Sequence, residues 1–387
     1  MFSWRGQFSP ELVERLLAAN AARGGTVLDP FVGSGTTLHE AARQHLPSIG
    51  FDVNPAAIVM ANAARFSNLT SAERDSELTQ FLSWIDRLWP MPLLIGASGP
   101  QDASTASARH KLTRWLESIP LDSPASILVS NLIVQLDGEL HRGHDDVPEA
   151  TIWTRANELR KTIQALPFTT AQCIVAQGDA RLLPLGAHTV DYVLTSPPYI
   201  NVFNYHQHYR TASELMGWDV LRVARSEFGS NRKNRGNRFL TVVEYAIDMA
   251  SALREMHRVL KPSGIASLVV GRESNVRGTS FANARIVTAL ATSGGWFRLD
   301  RRQERRFKNK FGEWIYEDVI HLSPRPSAHV QAVEVGRSIG FAALCAARTY
   351  VDAEARPDLE RAIAGVGVVN GSPHYALPQL AEGPPSG

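Results

Sequence analysis

TVLDPFVGSGTT, Thr26 to Thr37, decides the fold: a short apolar, β-branched run meets a turn built on Gly33, Ser34 and Gly35 and passes into TTLHEAARQH, which has helical character. Small residues between a strand and a helix let a ligand approach the backbone N–H groups of the helix N-terminus. After Pro47 and Ser48, IGFDVNP (Ile49 to Pro55) reads as a second strand ending at Asp52, and a helix is expected from Pro55 through Ala64. Upstream, SPELVERLLAANAARGG reads as a helix with Ser9 as N-cap, Pro10 at the first helical position and Gly24 at the stop. This opening predicts a doubly wound, mostly parallel α/β sheet. Asp52, 23 residues after Asp29, stands where an acid accepts hydrogen bonds from both hydroxyls of a ribose. The turn is neither GxGxxG nor a phosphate-binding GxxxxGK[ST], so an adenosine-containing cofactor other than a dinucleotide or ATP fits best.

Farther along, residues 68–170 lack strand alternation and read as a helical insertion. Strand character returns with QCIVAQGDA, ending at Ala180, and VDYVLTSPPY, ending at Tyr199; then follow the helix YAIDMASALREMHRVLKPSG and the strand IASLVVG, ending at Gly271. WFRLDRRQERR and EWIYEDVIHLS read as an antiparallel hairpin at the sheet edge, and the tail from Gly371 reads as disordered. The expected units are 1–67, the cofactor half of the catalytic domain; 68–170, the insertion, a structural or target-recognition subdomain; 171–325, the catalytic half with basic loops; and 326–387, a helical extension and tail.

In 387 residues, 44% hydrophobic and 20% charged, there is material for a substantial core, and the composition is not that of a disordered chain. No run of about 18 apolar residues occurs, and MFSWRGQFSP lacks a basic and an apolar leader region, so a soluble, cytoplasmic protein is expected, with no membrane partner. Cys173 and Cys345 form no CxxC pair, and His206 and His208 lack partners at ligand spacing, so no metal is expected. Net charge is only +2, but it is unevenly spread. Arg225 to Arg238 holds five positive residues and one negative, and Arg298 to Lys310 seven and two, whereas 68–170 holds nine positive and thirteen negative. Phosphate contacts are therefore assigned to Arg225, Arg232, Lys233, Arg235, Arg238, Arg301, Arg302, Arg305, Arg306 and Lys308.

TSPPY, Thr195 to Tyr199, follows an apolar strand, and its prolines fix the chain direction while leaving carbonyl acceptors beside an aromatic ring. With this motif the chain resembles the S-adenosylmethionine-dependent amino-methyltransferases that modify the exocyclic amines of DNA bases. DPFVGSGTT resembles that family's cofactor loop, FDVNP its ribose-binding acid, GDA at Gly178 to Ala180 its adenine-contacting turn, TSPPY its catalytic motif, and RVLKPSG (Arg258 to Gly264) its helix exit. WRGQFSPELVERLL is similar to the segment that folds over the methionine end of the cofactor.

The resemblance implies a Rossmann-like class I methyltransferase fold and S-adenosylmethionine as cofactor. It implies that Phe8, Ser9, Asp29, Pro30, Phe31, Gly33, Ser34, Gly35, Thr36, Thr37, Asp52, Asn54, Asp179 and Ala180 bind that cofactor. Ser196, Pro197, Pro198 and Tyr199 become the catalytic residues: Ser196 and the Pro197 carbonyl accept from the target amine, and Tyr199 stacks on an extruded base. Serine in front of Pro-Pro-Tyr favours cytosine N4 over adenine N6, although the motif order here differs from that of many cytosine-N4 members. NVFNYHQHYR, Asn201 to Arg210, reads as the pocket lip, and Phe311 and Trp314 are either base contacts or edge packing. Double-stranded DNA is the implied partner of a monomer or dimer, with a cognate restriction endonuclease as a further partner. Rival readings are an RNA methyltransferase acting on guanine N2 or adenine N6, a small-molecule methyltransferase, and a non-catalytic nucleic-acid-binding protein. No RNP signature or GXXG clamp supports RNA.

Overall fold

The computed structural model describes residues 9–90, 107–141, 147–200, 207–229, 236–308, 312–326 and 330–375. In chain order, α1 (Pro10–Asn20) leads into β1 (Val27–Asp29), α2 (Thr36–Arg43), β2 (Ser48–Asp52) and α3 (Pro55–Asn62). Helices α4 (Ser71–Leu88), α5 (Ala108–Glu117), α6 (Pro124–Gln135), α7 (Asp137–His141) and α8 (Glu149–Gln164) fill the insertion. The sheet resumes with β3 (Cys173–Gln177) and β4 (Val190–Thr195), followed by α9 (Arg210–Leu215), α10 (Val220–Ser226), α11 (Leu240–Val259) and β5 (Leu260–Gly271). A small ribbon, β6 (Ser274–Val276) with β7 (Thr279–Phe281), precedes α12 (Asn283–Ser293), β8 (Phe297–Lys308) and β9 (Trp314–Pro324), and α13 (Ala332–Ala347) and α14 (Arg356–Gly365) come last.

The main sheet has the order β3-β2-β1-β4-β5-β9-β8. Strands β3, β2, β1, β4 and β5 are parallel, and β9 and β8 run antiparallel at the edge. Strand β4 shows why the sheet is covered on both faces. Tyr192 and Leu194 pack with Val13, Leu16 and Leu17 of α1, whereas Val193 joins the larger core of α11, α12 and α13. Continuous apolar strands of this kind belong to parallel sheets buried on both sides, and removing a side chain that packs on them, as in Leu17→Ala of α1, costs about 2–5 kcal/mol. Between β1 and β4 the winding reverses, which opens a crevice at the carboxyl ends of the strands.

Three expectations are corrected. Ser9 precedes α1 but makes no side-chain cap, and the helix ends at Asn20, four residues before the expected Gly24 stop. Strand β5 begins at Leu260 rather than Ile265, because a register shift between the Val190 and Tyr192 pairings absorbs Lys261 to Gly264 outside the regular ladder. Gly371 to Tyr375, read as disordered, are held against the core: Ser372 N donates to Asp248 Oδ1 at 2.9 Å and Ser372 Oγ to Glu244 at 3.0 Å.

The insertion has a core of its own, built from Leu78, Phe81, Trp115, Leu132, Ile152 and Leu159, that continues onto Ala56 and Met60 of α3 and Ala212 of α9. Asp137 Oδ1 accepts from Ala212 N at 2.8 Å, and His141 Nδ1 lies 3.0 Å from Thr211 Oγ1. The insertion thereby supports the helix that follows the Pro-Pro-Tyr turn.

Candidate active site at the carboxyl edge of the sheet

Three strand ends meet at the crevice. Asp29, last in β1, is fully buried, and its carboxylate is occupied by the protein itself: Oδ1 accepts from Thr195 Oγ1 at 2.6 Å and Phe31 N at 3.1 Å, and Oδ2 from Thr37 Oγ1 at 2.5 Å. Burial raises its pKa from 3.8 to about 6 against the opposing effect of these donors. Asp29 thus shapes the loop and ties it to β4, the strand that delivers Ser196. Pro30 and Thr36 are buried beside it, while Phe31 keeps part of its ring exposed.

Asp52 ends β2, half-buried. Its Oδ2 accepts from Gly33 N at 3.1 Å and its Oδ1 from Asn54 N at 2.9 Å, while Asn54 caps α3 by accepting from Ala56 N at 2.9 Å. Burial, with the neighbouring negative charges of Asp29 and Glu227, raises its pKa to about 7. Gly35 has φ +86°, and a Cβ there would lie 2.8 Å from Ala61 Cα, so glycine is required. Ser34 Oγ, within the turn, is buried and has no hydrogen-bond partner among the described residues.

The turn after β3 is bonded to the same corner, since Gly178 N donates to Asp52 O at 3.0 Å. Asp179, expected at the adenine, is held by the protein itself. Both its oxygens are taken, by Arg181 Nε at 2.9 Å, Arg181 Nη2 at 2.7 Å and Tyr375 N at 2.8 Å, and the side chain is buried. Ala180 is buried in the main core.

Ser196 stands one residue beyond Thr195, half-buried, with Oγ 3.4 Å from Tyr199 Oη. Pro197 is buried and Pro198 half-buried. The Tyr199 ring lies against Gly271 at the end of β5, where a Cβ would approach Cε2 to 2.8 Å, so glycine makes room for the ring. Burial, with the negative Glu317 nearby, pushes the phenol pKa up to about 12, so the hydroxyl stays protonated.

The basic residues divide by register. Ladder pairing of β5 with β9 ends at Gly271↔Glu317, but β8 and β9 continue through Arg306↔Tyr316, Phe307↔Ile315 and Lys308↔Trp314. The hairpin therefore overhangs the carboxyl edge of the sheet, next to Gly271 and Tyr199. On it Trp314 and Tyr316 are 49% and 41% exposed, with Arg306 Cζ and Lys308 Nζ at 5.2 and 5.3 Å from the Trp314 ring. Arg302 and Arg305, both assigned to phosphate, are ion-paired within the hairpin. Arg302 is paired with Asp318 at 3.0 Å, and Arg305 with Glu317 at 2.7 Å and with Ser9 Oγ at 2.9 Å, which is why that hydroxyl does not cap α1. Arg301 lies 3.5 Å from His321 Nε2. Arg225 and Arg238 are exposed. Phe8, Arg232, Lys233, Arg235, Phe311 and residues 201–206 of the expected pocket lip lie outside the described residues.

The strand order, with acids at the ends of β1 and β2 and the Pro-Pro-Tyr turn at the end of β4, defines a Rossmann-like class I methyltransferase fold. Residues 3–63 match the N6_N4_Mtase family model, described as DNA methylase. The type II methyltransferase M.MjaII of Methanocaldococcus jannaschii is 42% identical over 52 residues, 13% of this chain and 10% of that protein. The type II methyltransferase M.BsoBI of Geobacillus stearothermophilus is 22% identical over 267 residues, 56% of this chain and 52% of that protein. The chain thus spans about half, or less, of the curated relatives it matches. Among solved structures, a SAM-dependent methyltransferase from Methanosarcina mazei superposes with a TM-score of 0.39 at 12% identity, covering 81% of this chain and 98% of that one.

S-adenosylmethionine, the methyl donor implied by the sequence resemblance, fits the residues present. The half-exposed Asp52 carboxylate offers acceptors for ribose hydroxyls, the Gly33–Gly35 turn admits a close backbone approach, and Ser34 Oγ lacks a partner among the described residues. Phe228, Glu227 and Arg181, all at this corner, were missed from the sequence because no local pattern marks them.

Proposed function

We propose that this protein transfers a methyl group from S-adenosylmethionine to an exocyclic amine of a DNA base, with N4 of cytosine as the preferred target. The observation that carries this reading is the 2.6 Å bond from Thr195 Oγ1 to Asp29 Oδ1, which fixes the strand end bearing Ser196 to the glycine loop. Donor and acceptor sites are thereby held in register, and positioning is the main requirement of this chemistry.

When bound, S-adenosylmethionine supplies an electrophilic methyl group on a positively charged sulfur. The residues do the rest. An exocyclic amine is a poor nucleophile because its lone pair is delocalised into the ring. Ser196 Oγ and the Pro197 carbonyl accept hydrogen bonds from the NH₂, hold the nitrogen closer to tetrahedral and stabilise the positive charge that develops as the N–C bond forms. The extra proton then leaves to water, so no strong base is required. Tyr199, kept neutral and braced on Gly271, stacks on the base extruded from the duplex, offsetting an unpairing cost of a few kcal/mol. Serine at position 196 supports cytosine over adenine, and a restriction endonuclease partner would follow from a site-specific modification role. No helix among the described residues is long and apolar enough to cross a membrane.

The overhanging hairpin is assigned to DNA, and salt titration tests this. Arg306→Ala and Lys308→Ala should each weaken DNA binding and reduce the slope of log affinity against log salt by about 1. Arg302→Ala and Arg305→Ala should leave the slope unchanged and instead lower stability, because the first leaves buried Asp318 with only the longer 3.9 Å contact to Arg272 and the second removes the ion-pair partner of Glu317. Equal slopes in all four variants would remove the hairpin from the DNA interface.

A further inference from the structure

Trp314 and Tyr316 lie on β9 beyond Glu317, where the pairing with β5 has already ended. Cross-strand partners share a face of a ribbon, and successive residues alternate between its faces. Trp314 opposite Lys308 and Tyr316 opposite Arg306 therefore belong to one face of the overhang, while Ile315 opposite Phe307 and Glu317 opposite Arg305 belong to the other. The two faces differ in burial. Arg305, Phe307 and Ile315 are half-buried and Glu317 is buried, whereas Arg306, Lys308, Trp314 and Tyr316 are all exposed.

Positive charge and aromatic surface are interleaved on the exposed face. Arg306 and Lys308 both reach the Trp314 ring, and Arg272, the residue after Gly271, brings its Cζ to 5.0 Å from the centre of the Tyr316 ring. The acids of this face are already committed. Asp318 is paired with Arg302 at 3.0 Å and Glu304 with Arg272 at 2.9 Å, and no ion pair of Arg306 or Lys308 occurs among the described residues. Such a surface fits a nucleic-acid strand, whose phosphates meet the cations and whose bases meet the rings.

Spacing decides which form of strand it fits. Side chains two residues apart on a β-strand stand about 7 Å from one another, whereas stacked bases repeat about every 3.4 Å. Rings at this interval match successive bases only where the bases have been drawn apart. The location agrees, because the overhang begins at Gly271, on which Tyr199 rests, and extruding a base toward Tyr199 leaves its neighbours unstacked.

We propose that the exposed face of the β8–β9 overhang is a binding platform for unstacked nucleotides of the DNA strand beside the extruded base. Trp314 and Tyr316 stack on successive bases, and Arg306 and Lys308 hold the phosphates between them. This rests on the DNA reading above. The platform shares with Tyr199 the work of keeping the strand open. In the free protein the same cations cover the rings, so that two half-exposed aromatic residues do not leave a bare apolar patch at a sheet edge.

The test is fluorescence anisotropy of a labelled oligothymidylate of about 20 nucleotides, titrated with the full-length protein, with its duplex with oligodeoxyadenylate in parallel. Each variant is first shown by circular dichroism to melt as the unaltered protein does. Trp314→Ala and Tyr316→Ala should each weaken binding of the single strand at least about fivefold. The slope of log affinity against log salt should stay the same, because a ring carries no charge. Trp314→Phe, which keeps a stacking face, should remain within about threefold of the unaltered protein. Phe341→Ala, which removes a ring of similar exposure on α13, should change nothing. A Trp314→Ala variant that binds the single strand as the unaltered protein does would overturn the platform. So would weakening confined to the duplex, which would put the rings in a groove of paired DNA. An oligouridylate bound more tightly than the oligothymidylate would overturn the choice of DNA. If the unaltered protein binds neither the single strand nor the duplex, the DNA reading itself fails.

Discussion

Ser196→Ala should lower the turnover number for methyl transfer by about 10²- to 10³-fold, the effect typical of removing one group aimed at developing transition-state charge. Binding of S-adenosylmethionine should change by less than about twofold. The reason lies in what each side chain touches. Ser196 Oγ contacts Tyr199 Oη and makes no bond to the glycine loop, whereas the residue before it, Thr195, makes the bond to Asp29. Deleting the hydroxyl therefore removes an acceptor for the target amine without disturbing the tie between the two strand ends. Tyr199→Ala should give a comparable loss of turnover and a weaker DNA complex, while Tyr199→Phe, which keeps the ring on Gly271 and loses only the 3.4 Å hydroxyl contact, should retain most activity. Rapid-quench measurement of a single turnover, with cofactor affinity measured separately, distinguishes these effects. Equal loss of turnover and cofactor affinity in Ser196→Ala would contradict the role given to it.

Asp52→Ala should do the reverse, weakening S-adenosylmethionine binding by at least about tenfold, the worth of a hydrogen bond to a charged group. Turnover at saturating cofactor should be largely kept. Its pH dependence follows from the raised pKa. Because burial lifts the Asp52 carboxyl from 3.8 to about 7, the folded protein holds this proton more tightly than the unfolded chain. Its contribution to the stability of the cofactor-free protein is therefore full below about pH 4 and is lost as pH rises through about 7. Cofactor hydroxyls need the ionised carboxylate as acceptor, so affinity should run the opposite way. It should fall on acidification below about pH 7, by up to about tenfold per unit. Asp52→Asn should bind more weakly at about pH 8 and show a flat profile over this range. A sloping profile that survives in Asp52→Asn would assign the pH dependence to another group.

Much of the site could be read along the chain because it is local. The run from Thr26 to Thr37, the acid at Asp52 and the turn from Thr195 to Tyr199 each combine a strand end with the residues that serve it, and the strand order brings the three together. What escaped depends on partners distant in sequence. The basic character of Arg298 to Lys310 was plain, but its pairing was not: the acids that occupy Arg302 and Arg305 are Asp318 and Glu317, on the facing strand, and a count of charges along one segment cannot see them. The same holds for Ser9, whose N-cap position is right while its hydroxyl is taken by Arg305 from far along the chain. Gly371 to Tyr375 have the composition of a loose tail, yet their backbone groups meet the buried Arg181, Asp179 and Asp248. Arg181 carries no motif at all; its significance appears only when β3, α10, α11 and the C-terminal segment are packed around it.

The most direct test of the central claim is transfer of labelled methyl from S-adenosylmethionine to unmethylated duplex DNA, with total RNA in parallel, followed by mass spectrometry of the nucleosides. The account predicts label in DNA as N4-methylcytosine; N6-methyladenine in DNA would keep the enzyme class and overturn the choice of base. Label confined to RNA, or none in DNA despite measurable cofactor binding, would contradict the account.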